Sequence, residues 1–244
     1  AKRANPAKLR PRSVPSLLKW TGSKRSQAAS IADLLPPHRR YFEPFLGGGA
    51  VLYLAAGPGS VAGDLYRPLI EFWQLVQTEP DRLIADYRRQ WGRLQAELDE
   101  LGTAWQTKST DEDSQRLPRS YYRARQRFNR RPNPLDLNFL MRTCVNGIVR
   151  FNAAGQFNNS FHCSRRGMQP DRFAEVVSAW SPRLADVAFV CQDYEATVAE
   201  AGPGDLVYFD PPYAANQQRY TQNLDAERFY SVLEQLNARG VAWA

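Results

Sequence analysis

Asp210, Pro211, Pro212 and Tyr213 form the stretch whose residue types could do chemistry. They follow Asp205-Leu-Val-Tyr-Phe209, a run short and apolar enough to be a buried strand. An acid at the carboxyl end of such a strand stands where open α/β sheets hold their ligands. Two successive prolines fix φ and push the preceding residues toward extended backbone, which stiffens the ledge and leaves its carbonyls free. An exocyclic amine carries two N–H donors, so a carboxylate and a carbonyl could take both. A tyrosine face could stack on the ring that bears the amine. The arrangement suits chemistry on the amino group of a nucleobase. Taken alone, these four residues are equally a strand ending in a proline turn.

Such a ledge needs a sheet behind it and a second set of turns beside it. Tyr41-Phe-Glu-Pro-Phe45 reads as a strand that runs into Leu46-Gly47-Gly48-Gly49 and a short apolar helix to about Ala56. Glycines allow tight turns and close approach of a ligand, and a helix start offers N–H groups. Ser60-Val-Ala-Gly-Asp64 with Leu65 is the next strand, again ending in an acid, the position that commonly binds ribose hydroxyls in nucleotide folds. Val187–Cys191 is a further strand with Gln192, Asp193 and Tyr194 at its polar end, and Val241–Ala244 begins another. Helices are expected over 26–35, 171–180, 195–201 and 231–239, alternating with these strands.

Between 67 and 169 the pattern changes. Residues 68–92 and then 94–101 have helical periodicity, and 103–114 is a polar loop. From Arg116 to Arg131 the chain carries seven arginines, Arg119, Arg123, Arg125 and Arg127 among them, interleaved with aromatics and without an acid. The lack of acids removes the pairing that usually accompanies a solvated helix face, so phosphate contact is expected there. A helix over 135–141 leads to Asn146, Gly147, Arg150 and Asn152, then to a hairpin whose turn centres on Gly155 and which bears Asn158. Asn and Arg side chains read base edges, and they also populate ordinary turns.

Composition bounds the partners. The chain has 244 residues, with 32 Lys+Arg against 25 Asp+Glu, a net charge of +7 that favours a polyanion. Residues 1–13 hold five basic side chains and no acid, which reads as a loose basic arm or a solvated tail. Three cysteines without C-x-x-C spacing and two histidines speak against a structural zinc site, and no metal is expected. No apolar run reaches membrane-spanning length and no leader is evident, so a soluble, cytoplasmic protein is expected.

Five segments, in this order, resemble the Dam-type (D12 class) DNA adenine-N6 methyltransferases: Lys19-Trp20-Thr-Gly-Ser-Lys24, Phe45-Leu-Gly47-Gly-Gly49, Asp64, Asn146 to Asn152, and Asp210 to Tyr213. The resemblance runs from about Leu17 to the end of the chain. It implies S-adenosylmethionine as methyl donor, S-adenosylhomocysteine as product, and duplex DNA as substrate. It also implies a Rossmann-like sheet from 14–66 and 170–244, with a mainly helical recognition domain inserted at 67–169. By the same resemblance Trp20, Lys24, Phe45, Gly47, Gly49, Asp64, Leu65 and Asp193 face the cofactor, Asp193 its adenine. Lys19 and Arg150 match positions that touch bases, and a monomer or weak dimer is expected.

The chain departs from the family pattern at Val145, where a relative carries an aromatic wedge before the Asn-Gly pair, so insertion into the stack is either lost or falls to Asn146 or a neighbour. The family's sheet also continues past the strand that begins at Val241. Alternatives are an RNA adenine or cytosine-N4 methyltransferase, or a silent DNA-binding subunit; cytosine-N4 relatives more often have Ser where Asp210 stands. An Asp210 carboxylate buried in an ion pair, or Tyr213 turned into the core with no cavity beside it, would overturn the enzyme reading. The recognition sequence and the choice between restriction–modification and regulation are not written in these residues.

Overall fold

The structure, a computed structural model, describes residues 13–103, 117–162, 164–211 and 224–244. Most of the expected basic arm, Arg116 with most of the expected polar loop, Cys163, Pro212 and Tyr213 lie outside the described residues.

Five short strands, β1 (Tyr41–Glu43), β2 (Ser60–Gly63), β3 (Val187–Val190), β4 (Leu206–Val207) and β5 (Ala242–Trp243), form one sheet in the order β3-β2-β1-β4-β5. Every pairing is parallel, with Phe42 opposite Val61 on one side and Val207 on the other. Parallel strands need crossover connections, and helices supply them on both faces. On one face α8 (Tyr194–Thr197) and α9 (Ala226–Ala238) pack with Phe42 and Val207 through Val198, Val232 and Leu236. The other face carries the larger core around Tyr41, Leu206 and Trp73, under α1 (Ala28–Leu34), α2 (Leu52–Ala55) and α3 (Arg67–Thr78). The period of two in a strand explains the split: Tyr41 and Glu43 face one core while Phe42 faces the other. The fold class is the expected mixed α/β, Rossmann-like arrangement.

Where sequence periodicity placed one helix over 68–92 and a second from 94, the break falls earlier. α3 ends at Thr78, and α4 (Pro80–Leu101) runs straight through Gly92. Pro80 lacks an N–H and so opens a helix readily. A glycine in mid-helix costs only about 1 kcal/mol, which the buried faces of Leu83, Tyr87, Leu94 and Leu98 outweigh. α9 also begins five residues ahead of the expected Ser231, because Asp225 caps it by accepting from the Arg228 N–H at 3.1 Å. α8 ends at Thr197, short of Ala201.

α3 lies within the stretch expected to be recognition domain, yet it covers the sheet. Trp73 stacks with Phe189 of β3 at 6.3 Å, and Gln74 donates to the Phe189 carbonyl. α4, α5 (Arg119–Arg130), α6 (Pro134–Thr143) and α7 (Pro170–Trp180) follow. Tyr87 of α4 packs on Phe173 of α7 at 4.6 Å. The expected hairpin is a turn held by two isolated antiparallel bridges, Phe151 to Phe157 and Cys144 to Phe161, with Gly155 at φ +71°.

At the amino end of β4 the buried Asp205 binds both Arg39 and Arg40, with Arg40 Nη2 at 2.6 Å. Burial pushes its carboxyl up, but the bonds from Arg40, the Gly202 amide and Arg39 overrule it and hold the group at about 2. A depressed carboxyl gives stability that is complete above its unfolded value near 4 and lost as pH falls toward 2. Asp205→Asn is expected to cost about 2–3 kcal/mol, seen as a melting temperature lower by roughly 5–10 °C at neutral pH. An unchanged melting temperature would remove this ion pair from the account of how β4 is anchored.

Candidate active site

The sheet order makes β1 and β4 neighbours whose connections leave in opposite directions, β1 toward β2 and β4 toward β5. A crevice opens at the carboxyl ends of such a pair. Into it come the glycine turn that follows β1 and Asp210, three residues after β4. Gly47 has φ +46° and Gly49 φ +61°. A Cβ on Gly47 would lie 2.9 Å from Trp20 Cδ1, and one on Gly49 would lie 3.0 Å from Trp73 Cζ2. Both conformation and space therefore require glycine at these two positions. Trp73 Nε1 donates to the Gly47 carbonyl at 3.2 Å, so α3 holds the turn from below.

Asp64, just past β2, accepts from the Gly47 N–H at 3.2 Å and from the Tyr66 N–H at 2.9 Å. Burial raises its pKa, and those backbone bonds oppose the rise. The expected ribose acceptor is therefore also what shapes the glycine turn. Leu65 beside it is 60% exposed.

Lys24 and Asp210 meet across the crevice. Lys24 Nζ donates to both carboxylate oxygens at 2.5 and 2.6 Å, and the two side chains remain 17% and 21% exposed. No local feature of either motif hints at this contact, and the family resemblance put Lys24 with the cofactor. Asp210 is therefore in an ion pair but not in a buried one, since about a fifth of each side chain stays open to the crevice. A carboxylate has about four lone-pair directions, so Lys24 leaves room for a second donor. Trp20 packs against Tyr66 at 6.1 Å, and Tyr66 against Phe151 at 5.7 Å.

Glu43 is the site residue that sequence reasoning missed. It ends β1, is 3% exposed, and accepts from the Tyr41 hydroxyl at 2.7 Å. Burial drives its pKa up to about 8; the Asp210 charge adds to the rise, while the Tyr41 hydroxyl, the Leu52 N–H and Lys24 oppose it. Its signal was an acid four residues ahead of Gly47 and two residues after a tyrosine.

On the other side of the turn, Phe45 stacks on Tyr194 at 5.5 Å, and Phe209 and Phe229 extend the cluster. Asp193 caps α8 by accepting from the Ala196 N–H, and its other oxygen takes Arg228 Nη2 at 2.5 Å. The Ala196 bond leads the causes that lower its pKa. Both oxygens of the carboxylate expected to reach the cofactor's adenine are thus engaged. The buried Tyr194 hydroxyl has no partner among the described residues.

The recognition side needs a correction. Arg125 is 4% exposed, donates to the Asn159 carbonyl at 2.9 Å and lies over the Tyr122 ring. Arg127 binds Asp136 at 2.6 Å and reaches Gln90. These two were expected on phosphates; one is buried as a strut, and the other has an acid from the next helix. Arg119 and Arg123 are exposed, as are Lys19, Asn146 and Arg150. Asn146 has φ +57°, with Gly147 behind it packed against the Lys19 side chain, whose Cδ would lie 2.6 Å from an added Cβ. Arg150 Nε donates to Asn158 Oδ1 at 2.9 Å. Val145, where the wedge was expected to be lost, is half-buried.

A family model of the D12 class of N6 adenine-specific DNA methyltransferases matches residues 20–241. The chain is 31% identical over 204 residues to the DNA N-6-adenine-methyltransferase of Escherichia phage P1, covering 81% of this chain and 24% of that relative. It is 31% identical over 218 residues to the type II methyltransferase M.MjaIII of Methanocaldococcus jannaschii, covering 82% and 69%. The DNA adenine methylase of Serratia marcescens is 29% identical over 203 residues, covering 82% and 67%. The chain thus spans about a quarter of the phage relative and about two thirds of the other two.

Glu43 makes stability depend on pH. Its folded pKa near 8 exceeds its ordinary 4.5, so the folded chain holds more protons than the unfolded one between those values. Stability therefore falls as pH rises through that window, by at most roughly 1.4 kcal/mol per pH unit. Melting temperatures from about pH 5 to about pH 8.5 should drop less for Glu43→Gln than for the parent. Parallel curves would place the Glu43 proton elsewhere.

Proposed function

The chain belongs to the D12 class of N6 adenine-specific DNA methyltransferases, and from this we propose that it methylates the exocyclic amine of an adenine in duplex DNA, with S-adenosylmethionine as donor. The single observation that carries the proposal is the convergence of Asp210 and the Gly47 turn at the carboxyl ends of adjacent strands β4 and β1. The residues fit the donor. Gly47 leaves a cradle that a Cβ would fill against Trp20, Asp64 beside it would take the ribose hydroxyls, and Phe45 with Tyr194 offers an aromatic wall whose buried hydroxyl has no partner among the described residues. When bound, the cofactor supplies an electrophilic methyl on a sulfonium.

The protein's own residues do the rest by positioning and electrostatics. An adenine amine in a stacked pair is out of reach, so the base is extruded. Asp210 accepts one N6 hydrogen on an oxygen shared with Lys24, and the Pro211 carbonyl accepts the other. Those bonds draw the nitrogen lone pair out of conjugation with the ring. By the family resemblance the task of stacking on the base falls to Tyr213, which lies outside the described residues. Asp210 rather than Ser supports adenine over cytosine. The recognition unit is best bounded at 80–169, since α3 covers the sheet. Its exposed Arg119, Arg123, Arg130 and Arg131 meet phosphates, while Lys19, Asn146 and Arg150 face the bases.

Asp210→Ala should abolish methyl transfer to duplex DNA while changing cofactor affinity little, as read by N6-methyladenine mass spectrometry and calorimetry. Near-normal methylation by that variant would overturn the reading. Replacing Arg119, Arg123 and Arg130 together should weaken binding to every sequence and flatten its salt dependence by roughly two to three units of log–log slope. An unchanged slope would mean that this face does not meet the backbone. Arg125→Ala should act differently, lowering thermal stability first.

A further inference from the structure

Glu43 has no part in the transfer outlined above, yet its carboxyl is buried within electrostatic reach of both members of the Lys24–Asp210 pair. It stands at the end of β1, four residues ahead of Gly47 in the turn proposed to cradle the cofactor. The groups that act on it come from four places: Tyr41 on its own strand at 2.7 Å, the Leu52 N–H of α2, Lys24 from the segment ahead of α1, and Asp210 beyond β4. Tyr208, on the chain after β4, acts on Tyr41. The charges can be counted. With Glu43 protonated, Lys24 and Asp210 cancel; with Glu43 ionised, the cluster carries one net negative charge.

We propose that Glu43 reads the charge of the methyl donor, holding its proton while the crevice carries no further cation, losing it when a sulfonium is bound, and regaining it beside the neutral thioether product. The inference rests on the cofactor reading above. The O–H bond of Glu43 breaks and its proton passes to the solvent, for which the partly exposed Lys24–Asp210 pair is the open end. On return the solvent supplies the proton, and no other reactant is needed. The ionised carboxylate then balances the sulfonium charge, which the product lacks. Glu43 therefore separates donor from product by charge, where shape separates them by one methyl group.

The physical scale fits. A unit charge within about 10 Å in partly buried surroundings moves an acid's midpoint by roughly one to two pH units. Glu43 stands near 8 without that charge, so such a move carries it across neutrality. Binding of a cation near pH 7 would then release about two thirds of a proton. Ionisation of the amino-acid part common to donor and product cancels in the comparison of the two.

The test is calorimetry of the full-length protein with S-adenosylmethionine, the amine-bearing cationic analogue sinefungin, and S-adenosylhomocysteine. Each is titrated near pH 7 in buffers of different ionisation enthalpy, which reports protons released. The two cations should release about half a proton or more beyond the thioether. The ratio of thioether to sulfonium Kd should rise roughly tenfold or more from about pH 6 to about pH 9, since the proton no longer needs displacing at high pH. Glu43→Gln should abolish both the difference in release and the pH trend. Tyr41→Phe, which keeps the carboxyl, should retain the release with a shifted midpoint. Equal proton release for all three ligands overturns the inference and leaves the cofactor reading standing, as does release that persists in Glu43→Gln. Failure of all three ligands to bind overturns both.

Discussion

The contact between Lys24 and Asp210 joins residues 186 positions apart and gives the crevice its meaning. It ties the segment ahead of α1 to the end of β4, across the carboxyl edge of β1. That geometry depends on parallel pairing of β1 with β2 on one side and β4 on the other, which no local feature of either motif can enforce. An opposite charge at hydrogen-bonding distance keeps the carboxylate aimed outward while leaving lone pairs for a second donor. The same cation sits within the field of Glu43, so two acids with opposite needs share one base. Asp210 must accept hydrogen bonds, whereas Glu43 is buried deeply enough to prefer its proton.

The N-terminal segment also connects the site to the recognition unit. Lys19 lies over Gly147, where positive φ and close approach leave no room for a side chain. Arg142, half-buried on α6, donates to the Leu17 carbonyl and lies over the Phe173 ring. Burial draws its pKa down to about 10, so it keeps its charge at neutral pH. Trp20, Tyr66 and Phe151 then form a line of rings from the glycine turn to the recognition turn. The residues suited to base contact and those suited to chemistry are thus held by one short stretch of chain.

The motifs were legible because each is local. A glycine trio after a strand and an acid before two prolines announce their backbone conformations, and alternation of strands with helices fixes a parallel sheet. What could not be read were relations across the chain. α5 contains no acid, so its arginines looked free, but the acid for Arg127 is Asp136 on the next helix. Arg125 has helical spacing that turns it inward beside Tyr121, and only the packing of α5 against the turn at Asn159 reveals it. Glu43 was passed over because an acid in a short apolar strand looks like a strand end, whereas its burial depends on the helices stacked above. The helix break at Pro80 was available in principle; the periodicity on either side hid it.

The central claim is that the Asp210 carboxylate takes a hydrogen bond from the amine of the target adenine. Once the methylated site is mapped, the most direct measurement is a cycle of binding affinities. It crosses Asp210→Ala with a duplex in which purine, lacking the amine, replaces the target adenine. A coupling of about 1 kcal/mol or more between the two changes is predicted, because each removes one side of the same bond. Strictly additive effects would contradict it and leave Asp210 as no more than the partner of Lys24.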